Sequence, residues 1–141
     1  MIRELRKADI NRVAAIWLDT NIKAHVFIPA QYWKSNFAFV KEMLSQAEIY
    51  VYENEQKIQG FIGMSGDYIE GIFVSAEMQS QGIGKLLLKH VKNKKSELFL
   101  NVYQKNTRAI CFYQREGFEI QHEGFDEATG EKDYAMVWKQ R

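Results

Sequence analysis

The chain has 141 residues, 46% of them hydrophobic and 26% charged, with 19 Lys and Arg against 18 Asp and Glu. That is enough chain for one self-sufficient core. A formal net charge of +1 offers no global field to hold nucleic acid or an anionic membrane. A single cysteine, Cys111, excludes an intrachain disulfide. No run approaches the ~20 apolar residues of a membrane span, and the opening MIRELRKADI has no apolar signal stretch. The expectation is a cytoplasmic protein of one domain, residues 1–141.

In chain order, Ile2 to Leu5 reads as a short strand. Asp9 stands where an N-cap belongs, and Ile10, Val13, Ala14 and Trp17 follow at helical spacing, with a loop expected over Thr20–Pro29. Trp33, Phe37, Val40 and Leu44 mark one face of a second helix. The period then turns strand-like: Ile49–Tyr52, a turn at Asn54-Glu55, Ile58–Met64, a turn at Gly66-Asp67, and Tyr68–Val74. Helical period returns at Ile83, Leu86, Leu87, His90 and Val91. Leu98–Tyr103 is a strand, and Thr107–Glu116 a helix closed by Gly117. Phe118–Phe125 and Lys132–Trp138 form a last hairpin around Ala128-Thr129-Gly130. The order β-αα-βββ-α-β-α-ββ is an α/β fold, with a mixed central sheet of about six to seven strands and about four helices.

The stretch from Ile72 to Lys85 carries the most information. An apolar strand enters a polar turn holding Gly82 and Gly84, and a helix starts at once. Backbone N–H groups of such a turn, with the unpaired ones of the helix's first turn, form an anion cradle; a plain tight turn is the other reading. A Walker A loop fails, because Gln79 stands where its first glycine belongs and Leu86 where its Ser or Thr belongs. A dinucleotide fingerprint fails at Leu87.

Gln79-x-x-Gly82-x-Gly84 resembles the coenzyme A pyrophosphate loop of the GNAT N-acetyltransferase superfamily. Downstream, Leu98-x-Leu100-x-Val102, Asn106, Ala109, Phe112-Tyr113 and Gly117-Phe118 are similar to the second block of that family, and the opening helix pair fits too. The whole-chain pattern looks closest to small bacterial members, some of which modify protein lysines. The resemblance implies a GNAT-type fold and transfer of an acetyl group from acetyl-CoA to a primary amine by direct attack. Acetyl-CoA is then a cosubstrate, with no metal. The acceptor is a small-molecule amine or a protein lysine or N-terminal amine, and the protein is a monomer or homodimer. A longer acyl-CoA donor, a non-catalytic CoA-binding sensor and a nucleotide-binding module stand as alternatives.

Carried over residue by residue, the resemblance implies a cleft between the strands Tyr68–Val74 and Leu98–Tyr103. Ile72, Phe73 and Val74 belong to the cofactor-binding strand, with the backbone of Ile72 and Val74 pairing with the pantetheine arm and the Ile72 N–H serving as oxyanion donor. Gln79, Ser80, Gln81, Gly82, Ile83, Gly84 and Lys85 hold the pyrophosphate through N–H groups. Asn106 caps its helix and contacts CoA. Tyr113 is the general acid for the CoA thiolate, or else a core tyrosine. The resemblance does not fix the base; Glu70, on the strand beside the cleft, is the candidate, directly or through water, or else a solvent-facing strand carboxylate. Tyr68, Tyr103, Asp67 and His25 border the acceptor, although an exposed loop position is the simpler reading of His25. Trp33 and Phe125 are further lining candidates.

Other residues read more plainly. Cys111 is expected as a buried structural thiol. His90 is expected to pack, and His122 lies on a strand. Neither H-E-x-x-H nor C-x-x-C occurs to hold a metal. Lys89, Lys92, Lys94 and Lys95 make a solvated helix end that complements the dipole. Lys105 and Arg108 are the candidates to meet the 3′-phosphate of CoA.

Overall fold

The computed structural model describes residues 1–141. Its strands are β1 (Ile2–Glu4), β2 (Glu48–Asn54), β3 (Lys57–Ser65), β4 (Tyr68–Val74), β5 (Glu97–Tyr103), β6 (Glu119–Phe125) and β7 (Lys132–Lys139). Its helices are α1 (Ile10–Ala24), α2 (Ala30–Leu44), α3 (Ile83–Lys92) and α4 (Thr107–Arg115). The order is the one expected from the sequence, and all seven strands join one sheet, β1-β2-β3-β4-β5-β7-β6. Only β4 and β5 run parallel; the other neighbours are antiparallel.

Strand alternation sorts the apolar residues onto two faces. On one, Tyr50, Ile62, Met64, Ile69, Leu98, Leu100, Val102 and Met136 pack under Ile83, Leu87, Leu88 and Val91 of α3 and Tyr113 of α4. On the other, Ile49, Val51, Ile58 and Phe61 pack under Val13, Ala14 and Ile16 of α1 and Leu44 of α2. β3, covered on both faces, is buried along all but its two ends.

Two local features open the sheet where the site lies. Between β3 and β4 the register runs Gly63↔Gly71 and then Met64↔Ile69, so Glu70 is an extra, unpaired residue. Such a bulge bends and twists its strand. Its effect on phase is plain: Ile69 and Ile72, three apart, both face the α3 side. Beyond the bulge, β4 leaves β5. The two strands pair only at Tyr68↔Phe99, supported by Phe99 N–H donating to the Asp67 carbonyl at 3.0 Å.

Three local expectations are corrected. α1 does not stop before Thr20 but runs to Ala24, because its polar residues bond back into the helix. Thr20 Oγ1 donates to the Ile16 carbonyl at 2.7 Å, and Asn21 Nδ2 to the Trp17 carbonyl at 2.9 Å. Asp9 precedes α1 but caps nothing there. Its buried carboxylate accepts from the Arg6 N–H at 2.7 Å and from Arg3 at 2.7 and 3.1 Å, and the Arg3 guanidinium holds it below the usual carboxylate range. Cys111 is exposed rather than buried.

Candidate functional site

The divergence of β4 and β5 leaves a cleft of about 1120 Å³ between the end of β4, the turn before α3, and α4. Ser75 N–H donates to the Gln59 carbonyl at 2.8 Å, so Ser75 and, two residues back, Phe73 turn their backbone groups toward β3. Alternation directs those of Ile72 and Val74 the other way, into the gap. Phe73 itself stacks on Phe61, 4.8 Å between ring centroids; its side chain belongs to the core rather than to the cleft.

Past Val74 the chain makes one 3₁₀ turn at Ala76–Met78 and reaches Gly82, whose φ of +83° is left-handed. An L side chain pays roughly 1–2 kcal/mol there, which is why glycine stands at that point. The first helical bond of α3 runs from the Leu86 N–H to the Gly82 carbonyl at 3.1 Å. The N–H groups of Ile83, Gly84 and Lys85 precede it and have no helical acceptor. A Cβ on Gly84 would sit 3.5 Å from the Phe112 ring, so glycine keeps that side of the turn open rather than avoiding a clash. Gln79 Nε2 donates to the Val74 carbonyl at 3.1 Å, and Arg108 donates to Gln79 Oε1 at 3.2 Å and to Ser80 Oγ at 2.9 Å. These bonds tie the turn to the end of β4 and to α4.

The cleft is cationic. Lys23, Lys85, Arg108 and Arg115 line it, with Glu116 as the only acid. Thr20, Lys23 and Ala24 reach it because α1 is longer than its apolar spacing suggests; the missed signal is that a Thr or Asn near a helix end can return its own hydrogen bond to the helix. Of the residues expected in the cradle, Gln81 is exposed and outside the lining. Lys105 is displaced from the role expected of it. It pairs with Glu131 at 3.0 Å, lies over the Phe27 ring and does not line the cleft. Lys92 is no merely solvated terminus either: it donates to the Glu116 carbonyl and sits over Phe118 and Trp138. His90 packs on the Tyr50 ring, and His122 is exposed.

A second cavity, about 320 Å³, opens on the α1–α2 side of the same gap. Trp17, Trp33, Tyr68 and Tyr103 give it aromatic walls; Glu70, Asp126 and Asp133 give it three carboxylates and no lysine or arginine. Tyr68 donates to Asn101 Oδ1 at 2.9 Å, and Tyr103 to Asp126 Oδ2 at 2.6 Å. His25 is not an exposed loop histidine. It stacks on Trp33 (5.4 Å) and meets Tyr103 edge-on (5.0 Å). Its Nε2 lies 3.3 Å from the Asn106 amide nitrogen. Asn106 Oδ1 accepts from the Ala109 N–H in capping α4, which leaves the amide to donate to the imidazole. Burial, partly opposed by the Asn21 backbone, pushes the His25 pKa down to about 4, so the ring is neutral at neutral pH. Glu70, on its bulge, is exposed at the cavity. Phe125 points away into solvent and does not line it.

The two cavities share one wall: Ile72, Asn106, Ala109 and Tyr113 line both. Tyr113 is almost fully buried, and burial first, then the neighbouring Tyr68, raise its pKa well above the ordinary phenol value. It therefore stays protonated and able to donate. Reading the sequence missed Asp126 and Asp133. The available signal was a lone carboxylate at Asp133 on the same strand phase as Ala135 and Val137.

Residues 45–120 match the family model described as "Acetyltransferase (GNAT) domain". The chain is 34% identical over 140 residues to the peptidyl-lysine N-acetyltransferase YiaC of Escherichia coli, covering 98% of this chain and 96% of that protein. It is 29% identical over 120 residues to the peptidyl-lysine N-acetyltransferase YjaB of the same organism, 84% of this chain and 82% of that one. Among solved structures, the apo form of YjaB superposes with a TM-score of 0.88 at 25% identity, over 100% of this chain and 98% of that chain. An N-acetyltransferase, PaiA, from Thermoplasma acidophilum, in complex with coenzyme A, superposes at 0.81 with 20% identity, over 99% and 98%.

Proposed function

The chain belongs to the GNAT acetyltransferase family and is an acetyl-transferring enzyme, and from that premise we propose that it moves the acetyl group of acetyl-CoA to the side-chain amine of a protein lysine. One observation carries the reading: a cationic cleft and a carboxylate-lined aromatic cavity meet at a single shared wall. A phosphate-bearing thioester fits the first. A cationic amine on an apolar stem fits the second, where aromatic faces cover methylenes and carboxylates attract the ammonium. Both Escherichia coli relatives are peptidyl-lysine N-acetyltransferases, which favours lysine over a small amine.

The residues divide the work accordingly. The N–H groups from Gln79 to Lys85 hold the pyrophosphate, with Lys23, Lys85, Arg108 and Arg115 supplying the positive charge that the near-neutral chain lacks overall. The outward backbone groups of Ile72 and Val74 take the pantetheine arm, and the Ile72 N–H stabilises the thioester oxygen as the amine attacks. Asn106 fixes the start of α4 and the orientation of His25. Tyr113 serves the departing sulfur. A phenol raised this far is a reluctant acid, so hydrogen-bond donation to the thiolate is the larger part of its work, in a dry wall where such a bond is strong. Glu70, with Tyr68, Tyr103 and His25, borders the incoming amine.

Melting the protein with acetyl-CoA, CoA, ATP or NAD tests the donor side. A ligand at 100 times its Kd adds about 2.7 kcal/mol, a rise of several degrees. Acetyl-CoA and CoA are expected to give it. Stabilisation by ATP or NAD alone would sink the reading. Thiol release with lysine peptides, polyamines and amino acids then tests the acceptor side, with peptides expected fastest.

A further inference from the structure

Resting on the acetyl-transfer reading above, we propose that Asp133 is the catalytic base, the carboxylate that takes the proton from the acceptor's ammonium. Asp133 lines the acceptor cavity from β7 and is only 9% exposed. None of the chain's ion pairs includes it. Room for its carboxylate is made across the β6–β7 ladder by Gly124, its register partner, where a Cβ would lie 3.1 Å from Asp133 Oδ1. Asn101, which accepts from Tyr68, lines the same cavity. Tyr68 and Tyr113 line it as well, so Asp133 faces the space that ends at the wall where the sulfur departs.

The other two carboxylates are less suited. Asp126 is already engaged by the Tyr103 hydroxyl at 2.6 Å, and Glu70 is exposed. A covered carboxylate without a counter-ion is costly until it meets a cation or takes a proton. An arriving ammonium supplies the first and then the second. The titratable groups around Asp133 are Asp126 of the hairpin, Tyr103 of β5, His122 and Glu123 of β6, Tyr68 and Glu70 of β4, and His25 across the cavity. Burial, then Asp126, raise its pKa, while Asn101 and His122 oppose the rise. The net direction brings it nearer to that of an amine.

The protons balance. The ammonium gives one proton to Asp133, which passes it to water. The freed lone pair forms the C–N bond as the C–S bond breaks, and Tyr113 donates a hydrogen bond to the departing thiolate. The second proton shed by nitrogen ends on the sulfur, as CoA thiol.

The test is a pH–rate profile of thiol release at saturating acetyl-CoA and lysine peptide, for the native chain, Asp133→Asn and Glu70→Gln. Asp133→Asn is expected to lose about 10²–10⁴-fold in kcat at pH 7. Its deficit should shrink toward pH ~10, where lysine, with a pKa of ~10.4, frees its own lone pair. Its stabilisation by acetyl-CoA should be unchanged, and Glu70→Gln should lose less than about ten-fold, short of a base's contribution. A kcat within about three-fold of native, or a deficit that does not change with pH, overturns the assignment. If Asp133→Asn does not fold, Gly124→Ala asks the same question by crowding Oδ1, and should lower kcat with the same pH signature. An active native chain with an undiminished Asp133→Asn defeats only this inference; a native chain inactive on every amine defeats the acetyl-transfer reading with it.

Discussion

The cationic cleft proposed for the donor and the carboxylate-lined cavity proposed for the acceptor lie back to back across four residues, yet they are built from different materials. The cleft offers backbone, in the turn before α3 and on the outward side of β4, with four cations around it. The cavity offers side chains: two tryptophans, two tyrosines and three carboxylates from α1, α2, β4, β5, the β6–β7 turn and β7. A formal charge of +1 hides this separation. Backbone N–H groups are available to any sequence that makes the turn, so the donor site depends on conformation. The proposed acceptor site depends on which side chains the fold happens to bring together, and on that reading specificity would reside there.

The shared wall is the place to test the contrast most severely. Tyr113→Phe is expected to lower kcat by about 10²–10⁴-fold, the usual range for a proton-transfer group. Acetyl-CoA affinity by calorimetry and KM for the peptide should stay near native values; unchanged turnover would return Tyr113 to the core. Next in size is Gly82→Asp. Aspartate tolerates left-handed backbone better than most residues, so the fold should stand while a carboxylate faces the phosphates. A loss of about 2–4 kcal/mol in acetyl-CoA binding is expected, from repulsion added to the loss of charge-assisted bonds worth ~1.5–3 kcal/mol. Binding that survives this change would show that the cradle lies elsewhere.

Arg108→Ala should separate the two sites more gently. Removing one guanidinium is expected to weaken acetyl-CoA binding about ten-fold and flatten its salt dependence, in keeping with ~1.5–3 kcal/mol for a charge-assisted bond. KM for the acceptor should not follow. The smallest effect concerns His25. Unfolded, it binds a proton below pH 6.5; folded, it resists protonation until about pH 4. The unfolded state holds more protons within that window, so stability falls as pH drops from 6.5 toward 4. His25→Gln should make the fall in Tm over that range shallower, and an identical slope would remove the buried imidazole from the acid response.

Much of the fold was legible because periodicity and turn chemistry are local. β4 was read to its observed ends, Gly117 closes α4 with a φ of +94°, and Gly82 takes the left-handed conformation a glycine in a strand-to-helix turn implies. The failures are local rules overruled by partners. Asp9 looks like a cap until Arg3 and the Arg6 N–H claim its carboxylate. Thr20 and Asn21 look like a helix stop until their side chains bond inward. Cys111 sits among apolar neighbours in sequence, yet α4 turns it to solvent.

The sequence by itself determined the element order, the glycine turn and the tyrosine helix, because each is encoded within a dozen residues. Only the tertiary structure decided what faces what. Beyond the bulge at Glu70, β4 leaves β5 and a gap opens, which Ile72, Asn106, Ala109 and Tyr113 divide into two cavities. The order β5-β7-β6 carries Asp133 beside Tyr103, residues 30 apart in sequence. The longer α1 brings Lys23 to the donor side, and His25 folds in against Trp33. Charge and burial at such positions come from neighbours distant in the chain, and no local pattern records them.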